Sequence, residues 1–168
     1  HSVIVRLEGG GQVAWGEATP FFAPTYSPES AVSAYETVKQ FLLPGVVGKE
    51  IDLAAELLDQ MSIYKGNPFA KAAVVTAWWG LQSKILDEPL WKVLGGETDQ
   101  ILCGADFGIQ HTIDQLLPLV QGAVDAGYPR IKLKVKRGWD IEMLEAVRGA
   151  FPDPVIHVDC NSGYDIHQ

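Results

Sequence analysis

A run of alternating residues, 130–135, constrains the fold of this chain more than any other feature. Three aliphatic side chains alternate in it with Lys132 and Lys134. A period of two is that of a β-strand, so both ammonium groups would lie on one face of the strand and the aliphatic groups on the other. A single strand of this kind is usually the wet strand of an antiparallel sheet, because surface strands carry lysine freely.

A second run, 155–161, places Asp159 and Asn161 on one face in the same way. A helical pattern separates the two runs, and strand–helix–strand predicts neighbouring parallel strands joined by a right-handed crossover. Such sheets are usually covered on both faces, which leaves little solvent for a polar stripe. We therefore expect Lys132 and Lys134 to meet the Asp/Asn pair near the carboxyl ends of adjacent strands, as a functional site.

One more strand and one more helix precede the lysine strand. Residues 101–109 predict the first strand, and Thr112 begins a capping-box pattern for a helix that stops at Gly127. This gives three strands and two crossover helices, whereas a closed barrel needs eight strands. Asp106, near the end of the first strand, has two interpretations: it lines the pocket or, as is commoner for an acidic residue at a strand end, it is a cap.

The first half of the chain predicts a β-hairpin followed by helices. Residues 2–16 alternate around three consecutive glycines, and Trp15 belongs to the apolar positions of that pattern. We expect Ser27 to cap the first helix, a second helix to begin near Leu53 and a third to begin at Pro68.

The pattern changes from hairpin plus helices to regular strand–helix alternation near Gly96. We therefore predict two domains, residues 1–96 and residues 97–168. The aromatic and proline-rich loop 21–26 follows the hairpin, and two interpretations of it stay open. It is either a tether buried under the hairpin or a specificity loop that closes over a ligand.

Composition excludes several classes of function. A net charge of −8 argues against a nucleic-acid surface and gives no basic stripe for an anionic membrane. No apolar run is long enough to span a bilayer. We expect reduced thiols, structural histidines and a cytoplasmic location. The cysteines and histidines without metal-ligand spacing are Cys103, Cys160, His111, His157 and His167.

Four motifs, in order and at suitable spacing, resemble the enolase superfamily, and specifically its muconate-lactonizing subgroup. Within that subgroup the chain is most similar to the o-succinylbenzoate synthase and N-acylamino acid racemase family. The resemblance covers essentially the whole chain. Its motifs are Gly16-Glu17, the turn from Pro89-Leu90 to Leu94-Gly95-Gly96, Lys132-x-Lys134 and Asp159-x-Asn161.

The resemblance implies an α+β capping domain followed by the first strands of a (β/α) TIM-type barrel, incomplete in this chain. It also implies a Mg²⁺ ion and removal of a proton α to a carboxylate. Lys134 matches the catalytic acid/base and Lys132 its electrostatic helper. Asp159 matches the first of three acidic metal ligands, and Asn161 a nearby polar group in contact with substrate. A lysine is a base only when neutral, and a second ammonium and a divalent cation favour that form.

The same resemblance bears on the loop 21–26. An aromatic-rich loop between two domains suits the apolar part of a succinylbenzoate-like ligand. We therefore expect Phe22 and Tyr26 to contact the substrate, which would be a small carboxylate.

Three functions stay open on the sequence. The first is o-succinylbenzoate synthase, a lyase that dehydrates a cyclohexadiene carboxylate in menaquinone biosynthesis. The second is an N-acylamino acid racemase or dipeptide epimerase, and the third, of another class, is a non-catalytic truncated chain. In the resembling family, two acidic ligands and a second lysine lie beyond the position of residue 168. We therefore expect residues 1–168 alone to be inactive and to bind Mg²⁺ weakly, and a homo-oligomer stays open.

Overall fold

The structure, a computed structural model, describes residues 1–165 and 167. Its chain contacts form two compact units, His1–Asp99 and Gln100–Gln168, each with its own hydrophobic core. Residues 166 and 168, which fall within the predicted second domain 97–168, lie outside the described residues. No helix in the described part of the chain is both long enough and apolar enough to cross a membrane.

The first unit is an α+β arrangement in which an antiparallel hairpin packs on helices. A π-helical turn, Val38–Leu42, and a 3₁₀ turn, Leu43–Gly45, extend its first helix. The predicted hairpin and the helix that begins at Pro68 are confirmed. In chain order its elements are β1 (Val3–Gly9), β2 (Gln12–Ala18), α1 (Ala31–Thr37), α2 (Ala54–Ser62), α3 (Pro68–Ile85) and α4 (Leu90–Val93).

The hairpin presents its smallest side chains to α3. Gly16 lies so close to this helix that a Cβ atom there would be 1.8 Å from the carbonyl oxygen of Ala73. Ala14 and Ala18, on the same face of β2, are buried. The assignment of Trp15 to the apolar face is therefore wrong: its side chain is 56% exposed and stacks with Arg6. Close packing of a helix on a strand requires small residues, so the indole occupies the outer face instead.

The first helix begins later than the sequence predicts. Ser30, and not Ser27, is its cap, and it forms a reciprocal capping box with Ser33. Glu29, which lies between Ser27 and Ser30, explains the shift, because its side chain is buried and reaches another helix. Its carboxylate accepts the backbone N–H of Phe69 at 2.7 Å and of Ala70 at 2.9 Å, at the beginning of α3. The chain therefore turns into α1 only after Glu29.

The second unit contains a parallel sheet whose strands follow chain order, β3–β4–β5. Helices α5 and α6 connect them, as predicted, and the described residues form three strands of a sheet that is not closed. The first of these strands is shorter than the predicted 101–109: in the described part of the chain it pairs with β4 only at residues 105–107, and Ile101 and Leu102 are 81% and 89% exposed. The elements are β3 (Ala105–Phe107), α5 (Ile113–Asp125), β4 (Arg130–Lys134), α6 (Ile141–Ala150) and β5 (Val155–Asp159).

Candidate functional site

The alternation of β4 separates a core face from a polar face. Ile131 and Leu133 are buried in the core of the second unit, whereas Lys132 and Lys134 are partly exposed on the opposite face. Strand β5 runs parallel beside β4, with Lys134 opposite Asp159 in the register. Because both strands end at this level, the two side chains meet at the carboxyl edge of the sheet, where α/β enzymes place their sites.

A single carboxylate binds both ammonium groups at this edge. Oδ2 of Asp159 is 2.7 Å from Nζ of Lys134 and 3.0 Å from Nζ of Lys132. Lys134 also donates to the amide oxygen of Asn161 at 2.6 Å. The backbone N–H of Asn161 donates in turn to Oδ1 of Asp159 at 3.0 Å. The four predicted residues therefore form one connected network of charge-assisted hydrogen bonds.

The network fixes the charge state of its carboxylate. Hydrogen bonds from Lys134, from the backbone of Asn161 and from Lys132 hold the pKa of Asp159 well below its usual range. The hydrogen bonds of Lys132 to Asp159 and to Asp106 raise the pKa of that lysine. An ionised carboxylate and an ammonium group are therefore the forms present at neutral pH.

Two residues that the sequence interpretation set aside lie on this polar face. Asp106 stands opposite Lys132 in the register of β3 and β4, and its Oδ2 is 3.3 Å from Nζ of Lys132. The interpretation of Asp106 as a cap is therefore wrong, because β3 ends one residue later and Asp106 lies within the ladder. His157 stands opposite Lys132 on the other side and is exposed. His157 and Asp159 are two residues apart on one strand, and this spacing predicts that their side chains share a face.

Asn161 owes its position to the turn that follows β5. Asn161 and Ser162 adopt φ values of +48° and +59°, a left-handed conformation that asparagine tolerates better than most residues. The N–H of Gly163 closes the turn on the carbonyl oxygen of Cys160 at 2.8 Å. The turn folds the amide of Asn161 back towards Lys134 instead of letting the chain leave the sheet edge.

The aromatic loop belongs to the first unit, and its rings are open to solvent. Phe22 and Tyr26 are 63% and 67% exposed. Phe22 contacts the ring of His1, with centroids 5.0 Å apart, and Tyr26 contacts that of Phe21, at 5.7 Å. The interpretation of this loop as a tether buried under the hairpin is therefore wrong. The contact of Phe22 and Tyr26 with a substrate stays a prediction.

The carboxylates of the polar face do not form a complete metal site. Across residues 1–165 and 167, no three His, Cys, Asp or Glu side chains gather closely enough to hold a metal ion. Asp159 and Asp106 approach the same ammonium group of Lys132. Their charges are thus balanced by lysines within the described residues.

The first unit matches a known family. Residues 1–95 correspond to the family described as "Mandelate racemase / muconate lactonizing enzyme, N-terminal domain". This match covers the hairpin, the helices α1 to α4 and the short turn that follows them.

Curated relatives cover both units. The chain is 37% identical over 98% of its length to an N-succinylamino acid racemase of Thermus thermophilus, and it covers 44% of that protein. It is 39% identical over 98% of its length to an o-succinylbenzoate synthase of Geobacillus kaustophilus and again covers 44% of the relative. The chain thus spans less than half of the length of the curated relatives that it matches.

The fold of this chain also matches solved structures. A member of the enolase superfamily from Listeria innocua superposes with a TM-score of 0.84 at 37% identity. That alignment covers 91% of this chain and 41% of the other. A muconate lactonizing enzyme from Pseudomonas putida superposes with a TM-score of 0.88 at 22% identity, over 98% of this chain and 47% of the other, which shows a shared fold.

Proposed function

The chain belongs to the mandelate racemase / muconate lactonizing enzyme family of the enolase superfamily, and from this we propose that the whole protein removes a proton α to a carboxylate. One observation carries the proposal: two lysines and an aspartate of adjacent parallel strands meet within 3.0 Å at the carboxyl edge of the sheet. Charges of both signs concentrated there suit a reaction that builds negative charge on a small anionic substrate.

In this proposal Lys134 is the base. Its Nζ lies at the sheet edge, between the carboxylate of Asp159 and the amide oxygen of Asn161. Two acceptors fix the direction of the amine, and such fixing keeps the reacting atoms in a productive geometry. Lys134 accepts the α-proton only in its neutral form, because only the neutral amine has a free lone pair.

Lys132 is the electrostatic helper. The hydrogen bonds that raise the pKa of Lys132 keep it positively charged. A fixed ammonium group stabilises the negative charge that develops on the substrate carboxylate when the α-proton leaves. The two lysines thus take different roles because Lys132 has two carboxylate partners, Asp106 and Asp159, and Lys134 has one.

The proposal includes a magnesium ion held in part by Asp159. An ionised carboxylate oxygen is a ligand that Mg²⁺ prefers, so the residue fits the metal in kind. It does not fit in number, because the described residues supply no group of three ligands. A bound divalent cation would supply positive charge for the developing negative charge on the substrate. We therefore also propose that residues 1–168 alone are inactive.

We propose o-succinylbenzoate synthase activity, dehydration of a cyclohexadiene carboxylate in menaquinone biosynthesis, as the reaction of the whole protein. Several curated relatives carry that name at 32% to 39% identity. Racemisation of N-acylamino acids is the second candidate, and the relatives named N-succinylamino acid racemase, at 36% and 37% identity, favour it. Both reactions begin with removal of a proton α to a carboxylate. We place the protein in the cytoplasm, as its two free thiols favour.

Two substrates assayed side by side test the proposal. The whole protein, purified with Mg²⁺, is given the cyclohexadiene substrate and its formation of aromatic product is followed by absorbance. The same preparation is given single enantiomers of N-succinylamino acids, and their optical rotation is followed. We expect the first reaction to be faster. If only the second substrate is turned over, the protein is a racemase and not a lyase. If neither substrate is turned over, the proposed chemistry is refuted.

A further inference from the structure

We propose that Tyr164 and Asp140 are positioning residues for Lys134: their hydrogen bond holds the turn after β5 so that Asn161 keeps the lysine in place. The proposal rests on the proposed role of Lys134 as the base. It adds two residues that lie outside the network of lysines and carboxylates at the sheet edge. Neither Tyr164 nor Asp140 contacts that network directly in the described hydrogen bonds and ion pairs.

The hydrogen bond between them is short and supported on both sides. Oη of Tyr164 donates to Oδ2 of Asp140 at 2.6 Å, while Oδ1 of Asp140 accepts the backbone N–H of Ile141 at 2.9 Å. Asp140 is thereby the N-cap of α6. The ring of Tyr164 packs against the core of the second unit. The tyrosine is thus held through both its ring and its hydroxyl group.

The hydrogen bond joins the segments that follow two adjacent strands. Asp140 precedes α6, which begins shortly after β4 ends, and Tyr164 lies shortly after β5 ends. Both segments therefore lie at the carboxyl edge, where Lys134 ends β4. Their connection fixes the far end of the turn that begins after Asp159.

Asn161 lies inside this doubly anchored turn. One side is fixed by β5 and by the hydrogen bond from the N–H of Asn161 to Asp159. The other side is fixed by the hydrogen bond from the N–H of Gly163 to the carbonyl oxygen of Cys160. It is fixed further along by the hydrogen bond of Tyr164 to Asp140. Two successive left-handed residues, Asn161 and Ser162, cost free energy, and surrounding contacts must hold them in that conformation. Loss of the tyrosine anchor would free the amide oxygen that accepts from Lys134.

The protonation of the pair agrees with this geometry. The hydrogen bond to Asp140 raises the pKa of Tyr164 to about 12. The same hydrogen bond, followed by the one from the backbone of Ile141, lowers the pKa of Asp140. The pair is therefore a neutral phenol donating to a carboxylate across the neutral pH range.

Two variants remove the hydrogen bond from opposite sides. Tyr164→Phe keeps the ring in the core, and Asp140→Ser keeps a good cap for α6 but removes the carboxylate. Tyr128→Phe, at an exposed tyrosine of the same unit, is the matched control. In the whole protein with Mg²⁺, each variant is assayed for α-proton exchange with deuterated solvent, for KM and for melting temperature. Amide hydrogen exchange of Asn161 is measured in the same samples.

We expect both variants to lower kcat about tenfold or more, with KM changed less than about twofold, because a displaced base slows the proton transfer itself. The Asn161 amide should exchange about tenfold faster. The double variant should be no worse than the slower single one, since both act through one hydrogen bond. Tyr128→Phe should match the parent in every measurement.

Parent-like kcat in both variants would overturn the proposal. So would a loss of kcat that follows the melting temperature while the Asn161 amide is unchanged, since that describes a purely structural pair. If Tyr164→Phe does not fold, Asp140→Ser decides alone on the same criteria. If the parent protein exchanges no α-proton, the proposed function fails, and the amide exchange of Asn161 then decides this proposal separately: faster exchange supports it and unchanged exchange overturns it.

Discussion

A buried carboxylate at the beginning of α3 gives the best-determined stability prediction. Glu29 is 3% exposed, and its two oxygens accept the N–H groups of Phe69 at 2.7 Å and Ala70 at 2.9 Å. These are two of the donors that the first turn of every helix leaves without a partner. A negative charge at this end of a helix also interacts favourably with the helix dipole.

Replacing Glu29 with alanine removes both acceptors at once. A buried donor without a partner costs about 1–3 kcal/mol, so the loss of two gives about 2–6 kcal/mol. Partial access of water to the new cavity reduces this cost, and we expect Glu29→Ala to lower the free energy of unfolding by about 3 kcal/mol. Glu29→Gln keeps one acceptor and most of the volume and should cost about half as much.

Urea unfolding followed by tryptophan fluorescence measures the effect, because Trp78 and Trp79 lie on the same helix. Glu50→Ala, at an exposed position of the same unit, is the control and should change the free energy by less than about 0.5 kcal/mol. If Glu29→Ala lowers the free energy of unfolding no more than Glu50→Ala does, the assignment of Glu29 as a stabilising cap is wrong. That result would mean that the first turn of α3 does not depend on this cap.

Three further predictions follow from the packing, the loop and the tyrosine. Gly16→Ala should destabilise the protein by about 2 kcal/mol or more in urea unfolding, because its Cβ would lie 1.8 Å from a carbonyl oxygen of α3, whereas Gly149→Ala, with open space around it, should not destabilise. Replacing both Phe22 and Tyr26 with alanine should raise KM of the whole protein severalfold with little change in melting temperature, since both rings are exposed; a purely thermal effect would contradict this. Tyr164, with a pKa raised from 10.0 to about 12, should stabilise the fold fully below pH 10 and lose that contribution as the pH rises towards 12. The free energy of unfolding should therefore fall more steeply over that range in the parent than in Tyr164→Phe, and parallel curves would disprove the assignment.

Strand periodicity accounts for the part of the site that the sequence predicts. Because side chains alternate along a strand, the spacing of Lys132 and Lys134 places both on one face wherever the strand lies. The pattern of a helix between two strands then brings Asp159 beside them through a parallel register. The same rule places Asp106 and His157 on the polar face as well, where both stand opposite Lys132.

Contacts between distant segments account for what the sequence does not predict. Tyr164 and Asp140 are 24 residues apart, and no local pattern pairs a tyrosine with a helix cap at that distance. Glu29 caps a helix that begins about 40 residues later, and this distant contact moves the start of the first helix from the predicted Ser27 to Ser30. Trp15 is a strong core residue by type, and only the approach of α3 to the small residues of β2 turns it outwards.

Measuring α-proton exchange in Lys134→Ala tests most directly whether Lys134 is the base. The whole protein with Mg²⁺ and its substrate is transferred to deuterated solvent, and incorporation of deuterium at the carbon α to the carboxylate is followed by NMR. Lys136→Ala, at an exposed lysine just beyond β4, is the control. We predict that Lys134→Ala slows exchange by at least about a thousandfold with the fold intact, while the control keeps the parent rate. Exchange in Lys134→Ala near the parent rate would contradict the assignment of the base.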